Sequence, residues 1–188
     1  MREVLSPLAV EIIGLKETGL SIPEPKENGN TPLENARIKA LAYYQALKRP
    51  VFACDSGLYI DGLPEEEQPG VHVRVKNGKR MSDEEMVSYY AAVAKKLGGK
   101  AVARYKNAVC LVMDEHEIYE HFGDDISGDT FYLVEKPHPK REEGLPLDSL
   151  SVHMESGEYY KDRPRPKGDT SMMDRGFQAF FKKVLAEF

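Results

Sequence analysis

Four residues near the start of this 188-residue chain have the types that phosphate chemistry uses: Glu27, Glu34, Lys39 and Asp55. Carboxylates gathered near a helix N-terminus with a lysine beside them can hold a magnesium ion and an anionic phosphate chain. Hard oxygen ligands suit magnesium, and one or two carboxylates suffice when substrate oxygens complete its shell. Each residue also has a plainer explanation. Glu34 can serve a capping box, Lys39 a solvated helix face, Glu27 loop polarity, and Asp55-Ser56-Gly57 a turn.

The elements that would position these residues are legible. Thr31-Pro32-Leu33-Glu34 predicts a helix start, because Thr31 can accept from the Glu34 amide and proline at the first helical position lacks a donor that is not needed there. The helix runs over 31–47, with Leu33, Ala36, Ala40, Tyr44 and Leu47 on the core face. Asn35 and Lys39, four apart, share another. After Pro50, Val51 to Cys54 reads as a buried strand that delivers Asp55 at its end. Upstream, Val10 to Leu15 reads as a short strand, and Ile22 to Asn30 as a polar loop carrying Glu27.

Downstream, Ser82-Asp83-Glu84-Glu85 makes a second capping box for a helix that stops at Gly98-Gly99. Ala101 to Met113 reads as a long strand. Glu117 to Phe122 and Thr130 to Val134 read as further strands, in a sheet expected to be mixed. Glu135 to Leu147 is a proline- and charge-rich surface loop. Met173, Phe177, Phe180, Phe181, Val184 and Phe188 repeat at helical spacing as the core stripe of a last helix.

Composition narrows the function classes. Lys and Arg total 26 against 31 Asp and Glu, for a net charge of -5 and a pI near 5.6. No basic block is available for a run of phosphates, which argues against a nucleic-acid partner. The most apolar stretches fall far short of the roughly 20 residues of a membrane span, and the N-terminus lacks a signal-type region. A cytoplasmic protein with no membrane partner is expected. Two cysteines, Cys54 and Cys110, lie in strand-like runs, and the five histidines are scattered, which makes disulfide scaffolds and zinc modules improbable.

Thr31-Pro32-Leu33-Glu34-Asn35-Ala36-Arg37-Ile38-Lys39-Ala40, then Asp55-Ser56-Gly57-Leu58, then Pro69-Gly70-Val71 resembles the inosine triphosphate pyrophosphatase family in its T-x-x-E-N-A-x-x-K-A helix, D-S-G-L segment and P-G-V/I turn. Arg175-Gly176 is similar to the end of the family's S-H-R-G motif, and the resemblance covers most of the chain from Glu3 onward. It implies an α/β fold with a long central mixed sheet and helices on both sides forming two lobes and a cleft. The whole chain, 1–188, would be one such domain, shortened at its N-terminus by the family's first strand and T-G-N-x-x-K loop. The implied activity is hydrolysis of ITP, XTP or dITP to the monophosphate and pyrophosphate, with Mg²⁺ as cofactor, a purine nucleoside triphosphate as substrate and a homodimer as assembly.

By the same resemblance Asp55 is the catalytic water activator, and Glu27 with Asp55 holds the metal. Glu34, Lys39, Ser56, Gly57, Asp148 and Arg175 bind substrate. The chain departs from the family pattern at Asp174, where S-H-R-G has its histidine. It departs again at Leu145-Pro146-Leu147-Asp148-Ser149, which carries no stacking aromatic in place of F-G-Y-D-P. These departures leave a second reading: a non-catalytic nucleotide-binding or dimeric interaction protein built on the same scaffold.

Overall fold

A computed structural model of the chain describes residues 1–163 and 171–186. In chain order the elements are α1 (Arg2–Leu5), α2 (Pro32–Leu47), β1 (Val51–Ile60), β2 (Val75–Lys76), β3 (Lys79–Arg80), α3 (Asp83–Lys96), β4 (Lys100–Val112), β5 (Ile118–Phe122), β6 (Phe131–Val134), β7 (Ser151–Val152) and α4 (Met172–Leu185), with short 3-10 turns between. The main sheet has the order β1-β4-β6-β7, and β5 also pairs with β4. The ladders β4–β5, β4–β6 and β6–β7 are all antiparallel, where the sequence suggested a mixed sheet.

The chain forms two compact units. The first comprises 1–56, 106–127 and 169–188, and the second 57–105 and 128–168. In the first, α2 lays Ala36 and Ala40 against Ala53 of β1 and Ala108, Cys110 and Val112 of β4. These small side chains let the helix approach the sheet closely. A second core gathers Leu5, Val109, Leu111, Ile126, Phe177, Phe181 and Val184, so the apolar stripe of α4 is core, as its spacing predicts. Phe188 of that stripe lies outside the described residues.

Gly176 is what lets α4 dock. A Cβ there would come within 2.3 Å of the Asp125 carbonyl oxygen, a backbone atom that cannot swing aside. Gly176→Ala is therefore expected to destabilise the chain by about 1–3 kcal/mol, the usual cost of overpacking. Thermal melting checks this, and an unchanged Tm would show that the α4 contact yields freely.

In the second unit, Leu58, Ile60, Met86, Tyr90, Ala94, Leu133 and Leu150 form the core between α3 and the sheet. Ser82 caps α3 with both halves of the expected capping box. The loop after β6 has no periodic structure as far as the 3-10 turn at Pro146–Leu150. It is nonetheless tied down: Arg74 donates to the Asp83 carboxylate and the Gly144 carbonyl, and Asp83 accepts from the Gly144 amide.

Two expectations fail. Val10 to Leu15 is not a strand. Among the described residues no ladder partner lies beside it, and a 3-10 turn occupies Leu15–Thr18 instead. β1 does not stop at Cys54 but continues to Ile60, which puts Asp55-Ser56-Gly57 inside a strand rather than in a turn. Leu58 exchanges two backbone hydrogen bonds of 2.9 Å with Gly70. A Cβ on Gly57 would sit 3.0 Å from the Gly70 carbonyl carbon. The D-S-G-L and P-G-V motifs thus form one feature, a strand and a turn in backbone contact through glycine.

Candidate active site

Helix α2 carries half of the site. Thr31 caps it by accepting from the Glu34 amide at 3.2 Å, with Pro32 in the first turn. Lys48, in the left-handed region at φ 51°, ends it. The alanine face against β1 and β4 fixes the helix rotation, and this brings Asn35 and Lys39 over Asp55.

The Lys39 ammonium donates to Asp55 Oδ1 at 2.6 Å and to Glu27 Oε2 at 3.0 Å, clamping a strand carboxylate and a loop carboxylate together. Asn35 is buried, contrary to the expectation of a separate polar face. Its Oδ1 accepts from the Gly29 amide at 2.9 Å, and its Nδ2 faces Asp55 Oδ2 at 3.4 Å. Both oxygens of Asp55 are therefore addressed from one helix face, at i and i+4.

The side chains of Asp55 and Lys39 are 13% and 18% exposed, enough burial for charge pairing to matter more than at an open surface. Burial alone would lower the Lys39 pKa, but hydrogen bonds and attraction from Asp55 and Glu27 outweigh it and hold the amine above its ordinary value. The neighbouring Cys54 thiol is pushed up to about 11, chiefly by burial, which favours the protonated form at neutral pH.

Glu34 does not join this cluster. Its carboxylate accepts from the Asn30 amide at 2.6 Å, one residue before the N-cap, so it fixes the entry of the loop into α2. The expected capping box is thereby only half formed. Ser56 donates to Asn107 Oδ1 at 2.7 Å, and Asn107 donates to the Ile126 carbonyl at 2.8 Å. Arg175 lies in the first turn of α4, beside Asp174, whose carboxylate closes a capping box with Ser171. Gly57 and Asp148 belong to the second unit. There Asp148 pairs with Lys161 at 3.4 Å.

Of the expected residues, the structure brings Glu27, Lys39 and Asp55 into direct contact. Sequence reasoning gave no role to Asn35 and Asn107, which set the positions of Asp55 and Ser56. The four-residue step from Asn35 to Lys39 signals the first, and nothing local signals the second. Among the described residues no group of three or more His, Cys, Asp or Glu gathers as a metal cage.

Fold and cluster together define an α/β protein whose first unit holds a lysine between two carboxylates. The chain belongs to the Ham1 family, whose model matches residues 1–149. It is similar to the dITP/XTP pyrophosphatase of Brucella melitensis, with 29% identity over 198 residues, covering 97% of this chain and 86% of that one. A protein of the same name from Treponema denticola is 35% identical over 152 residues, covering 72% and 76%. With that of Rhodopseudomonas palustris the match is local, 46% over 72 residues, covering 38% of this chain and 32% of the other.

Among solved structures, a HAM1 protein from Coxiella burnetii superposes with a TM-score of 0.70 at 22% identity, covering 99% of this chain and 90% of that one. The Ham1 protein of Staphylococcus aureus gives 0.69 at 21%, covering 100% and 92%. At such identities the likeness speaks for the fold. The family resemblance read from residues 31–71 is borne out.

Proposed function

We propose that this chain hydrolyses nucleoside triphosphates bearing non-standard purines, ITP, XTP or dITP, to the monophosphate and pyrophosphate. The observation that carries this is the Lys39 ammonium held between Glu27 and Asp55, in a family whose matched relatives bear the name dITP/XTP pyrophosphatase.

Asp55 takes the proton of a water as its oxygen attacks the α-phosphorus. The bond from that phosphorus to the bridging oxygen breaks, and pyrophosphate leaves. Lys39 stays cationic throughout the neutral range, since its pKa is raised, and offsets charge on the phosphates. Asn35 keeps the Asp55 carboxylate in place. Glu27 and Asp55 reach the same nitrogen, so they lie close enough to share a cation. Two carboxylates suit magnesium, which keeps waters and phosphate oxygens in its remaining positions. When bound there it would lower the pKa of water and neutralise phosphate charge. Glu34, Ser56, Gly57, Asp148 and Arg175 are assigned to substrate binding. Ser56, Asp148 and Arg175 offer polar groups, Gly57 lets backbone approach closely, and Glu34 acts through the loop it anchors. Action as a homodimer in the cytoplasm belongs to the same proposal. No helix among the described residues is long and apolar enough to cross a membrane.

Base selection should be loose. Leu145, 44% exposed, stands where the family motif supplies a stacking ring, and Asp174 spends its carboxylate on a helix cap where the motif has histidine. Without those contacts ITP and XTP lose much of their advantage over GTP and ATP. Pyrophosphate release from a panel of triphosphates with magnesium tests this. Turnover of several purine triphosphates within about 10-fold of each other is expected, a sharp preference for ITP alone contradicts the loose selection, and no release from any removes the function.

A further inference from the structure

The hydroxyl of Ser56 has its one hydrogen assigned by the groups around it. Asn107, on β4, donates through Nδ2 to the Ile126 carbonyl at 2.8 Å and to Met173 Sδ at 3.2 Å. Ile126 is fully buried and a carbonyl only accepts, so the amide cannot turn its oxygen that way without setting two acceptors face to face. Asn107 Oδ1 is thereby turned to Ser56, 2.7 Å from its Oγ. An amide oxygen has no hydrogen to give. Ser56 must donate, and its exposed Oγ keeps only lone pairs for whatever else approaches.

Ser56, Asn107, Ile126 and Met173 all belong to the first unit. Side chains alternate along a strand. Asp55 leaves β1 toward Asn35 and Lys39 of α2, and Ser56 leaves it on the other face, toward Asn107 and, through it, the first turn of α4. The lysine and carboxylates proposed to handle phosphate thus share one face of the strand, and the Ser56 acceptor is on the other. Phosphate oxygens that carry no proton at neutral pH also have nothing to donate to it.

We infer that Asn107 is a positioning residue that fixes Ser56 Oγ as an acceptor, and that Ser56 holds a hydrogen-bond donor of the nucleoside, a sugar hydroxyl or a base N–H, rather than an oxygen of the phosphate chain. This rests on the nucleotide site proposed above and gives Ser56 a direction within it. A serine free to rotate would serve a donor or an acceptor equally. One held by Asn107 rejects the acceptor, because lone pairs then meet with no hydrogen between them. The selectivity comes from a residue that does not itself have to touch the substrate.

Equilibrium binding of uncleavable α,β-methylene ITP and of inorganic tripolyphosphate, each with magnesium, to the parent, Ser56→Ala, Asn107→Leu and the double variant tests this. Ser56→Ala removes one exposed oxygen. It should weaken the nucleotide about 5- to 10-fold, the scale of one hydrogen bond, and leave tripolyphosphate affinity unchanged. Asn107→Leu should lose part of the same nucleotide affinity, and nothing further once position 56 is alanine. The 2′-deoxy, 3′-deoxy and N1-methyl forms of the analogue identify the donor, since with one of them the Ser56→Ala effect should vanish. A readout without ligand is hydrogen exchange in the free parent: the side-chain amide protons of Asn107 should exchange more slowly than those of the exposed Asn77. Equal weakening of nucleotide and tripolyphosphate by Ser56→Ala overturns the inference and leaves the nucleotide site standing. So does an effect undiminished with all three modified forms, or an Asn107 amide that exchanges as fast as that of Asn77. A parent that binds no nucleotide removes the site itself and the inference with it.

Discussion

Asp55→Asn should lower magnesium-dependent turnover by at least about 100-fold, the scale on which a general base contributes, while nucleotide binding survives or tightens. Asparagine keeps the size of aspartate and one accepting oxygen, and removes the negative charge and with it the capacity to take a proton. The site itself should persist. Lys39 retains Glu27 at 3.0 Å, and the one amide oxygen at position 55 can still accept from Lys39 or from Asn35. Relief of repulsion between a carboxylate and the incoming triphosphate favours binding. If Asp55 served only to hold α2 on β1, the variant would instead lower the melting temperature with little effect on rate. Pyrophosphate release, equilibrium nucleotide binding and thermal melting on one preparation separate the two outcomes.

Lys39→Met should act in the opposite place, on binding as well as rate. Methionine keeps much of the stem and removes the charge between Glu27 and Asp55, which then face each other with no cation. Both carboxylates repel an arriving triphosphate, so KM should rise and kcat/KM fall by about 10²–10³-fold, the range for losing a donor aimed at developing charge. The same substitution changes the pH dependence of stability. In the folded chain the Lys39 pKa lies above its ordinary 10.5. The stability this confers is fully present below that value and is lost as pH climbs through the raised one. Lys39→Met should therefore lack that part of the alkaline decline. Melting curves from neutral pH upward check it, and identical alkaline slopes for parent and variant would contradict the assigned coupling.

What the sequence disclosed and what it withheld divide along local and tertiary lines. The starts of α2 and α3 were legible because a cap is a local device: Thr31 and Ser82 need only the amide three residues on. The stripe of α4 was legible because its spacing is explained by packing alone. Asp55-Ser56-Gly57 looks like a turn by residue type and is strand because of groups far along the chain. Lys39 holds Asp55, Asn107 holds Ser56, and Gly70 lies against Gly57. Val10 to Leu15 has the composition of a strand, but a strand exists only beside another, and among the described residues none pairs with it.

The site divides in the same way. The meeting of Lys39 with Asp55 follows from a helix and strand adjacent in sequence. The burial of Asn35 does not, since a polar residue turns inward only when partners such as Gly29 and Asp55 are already there to receive it. Glu34 was readable as a capping residue, but its acceptance of the Asn30 amide rather than that of Thr31 depends on the path of the preceding loop.

The central claim is that water, activated at Asp55, attacks the α-phosphorus. Turnover of XTP or dITP with magnesium in ¹⁸O-enriched water, followed by mass analysis of both products, tests it most directly. One labelled oxygen in the nucleoside monophosphate and none in the pyrophosphate is the predicted result. Label in pyrophosphate, or release of orthophosphate with a nucleoside diphosphate, would contradict it.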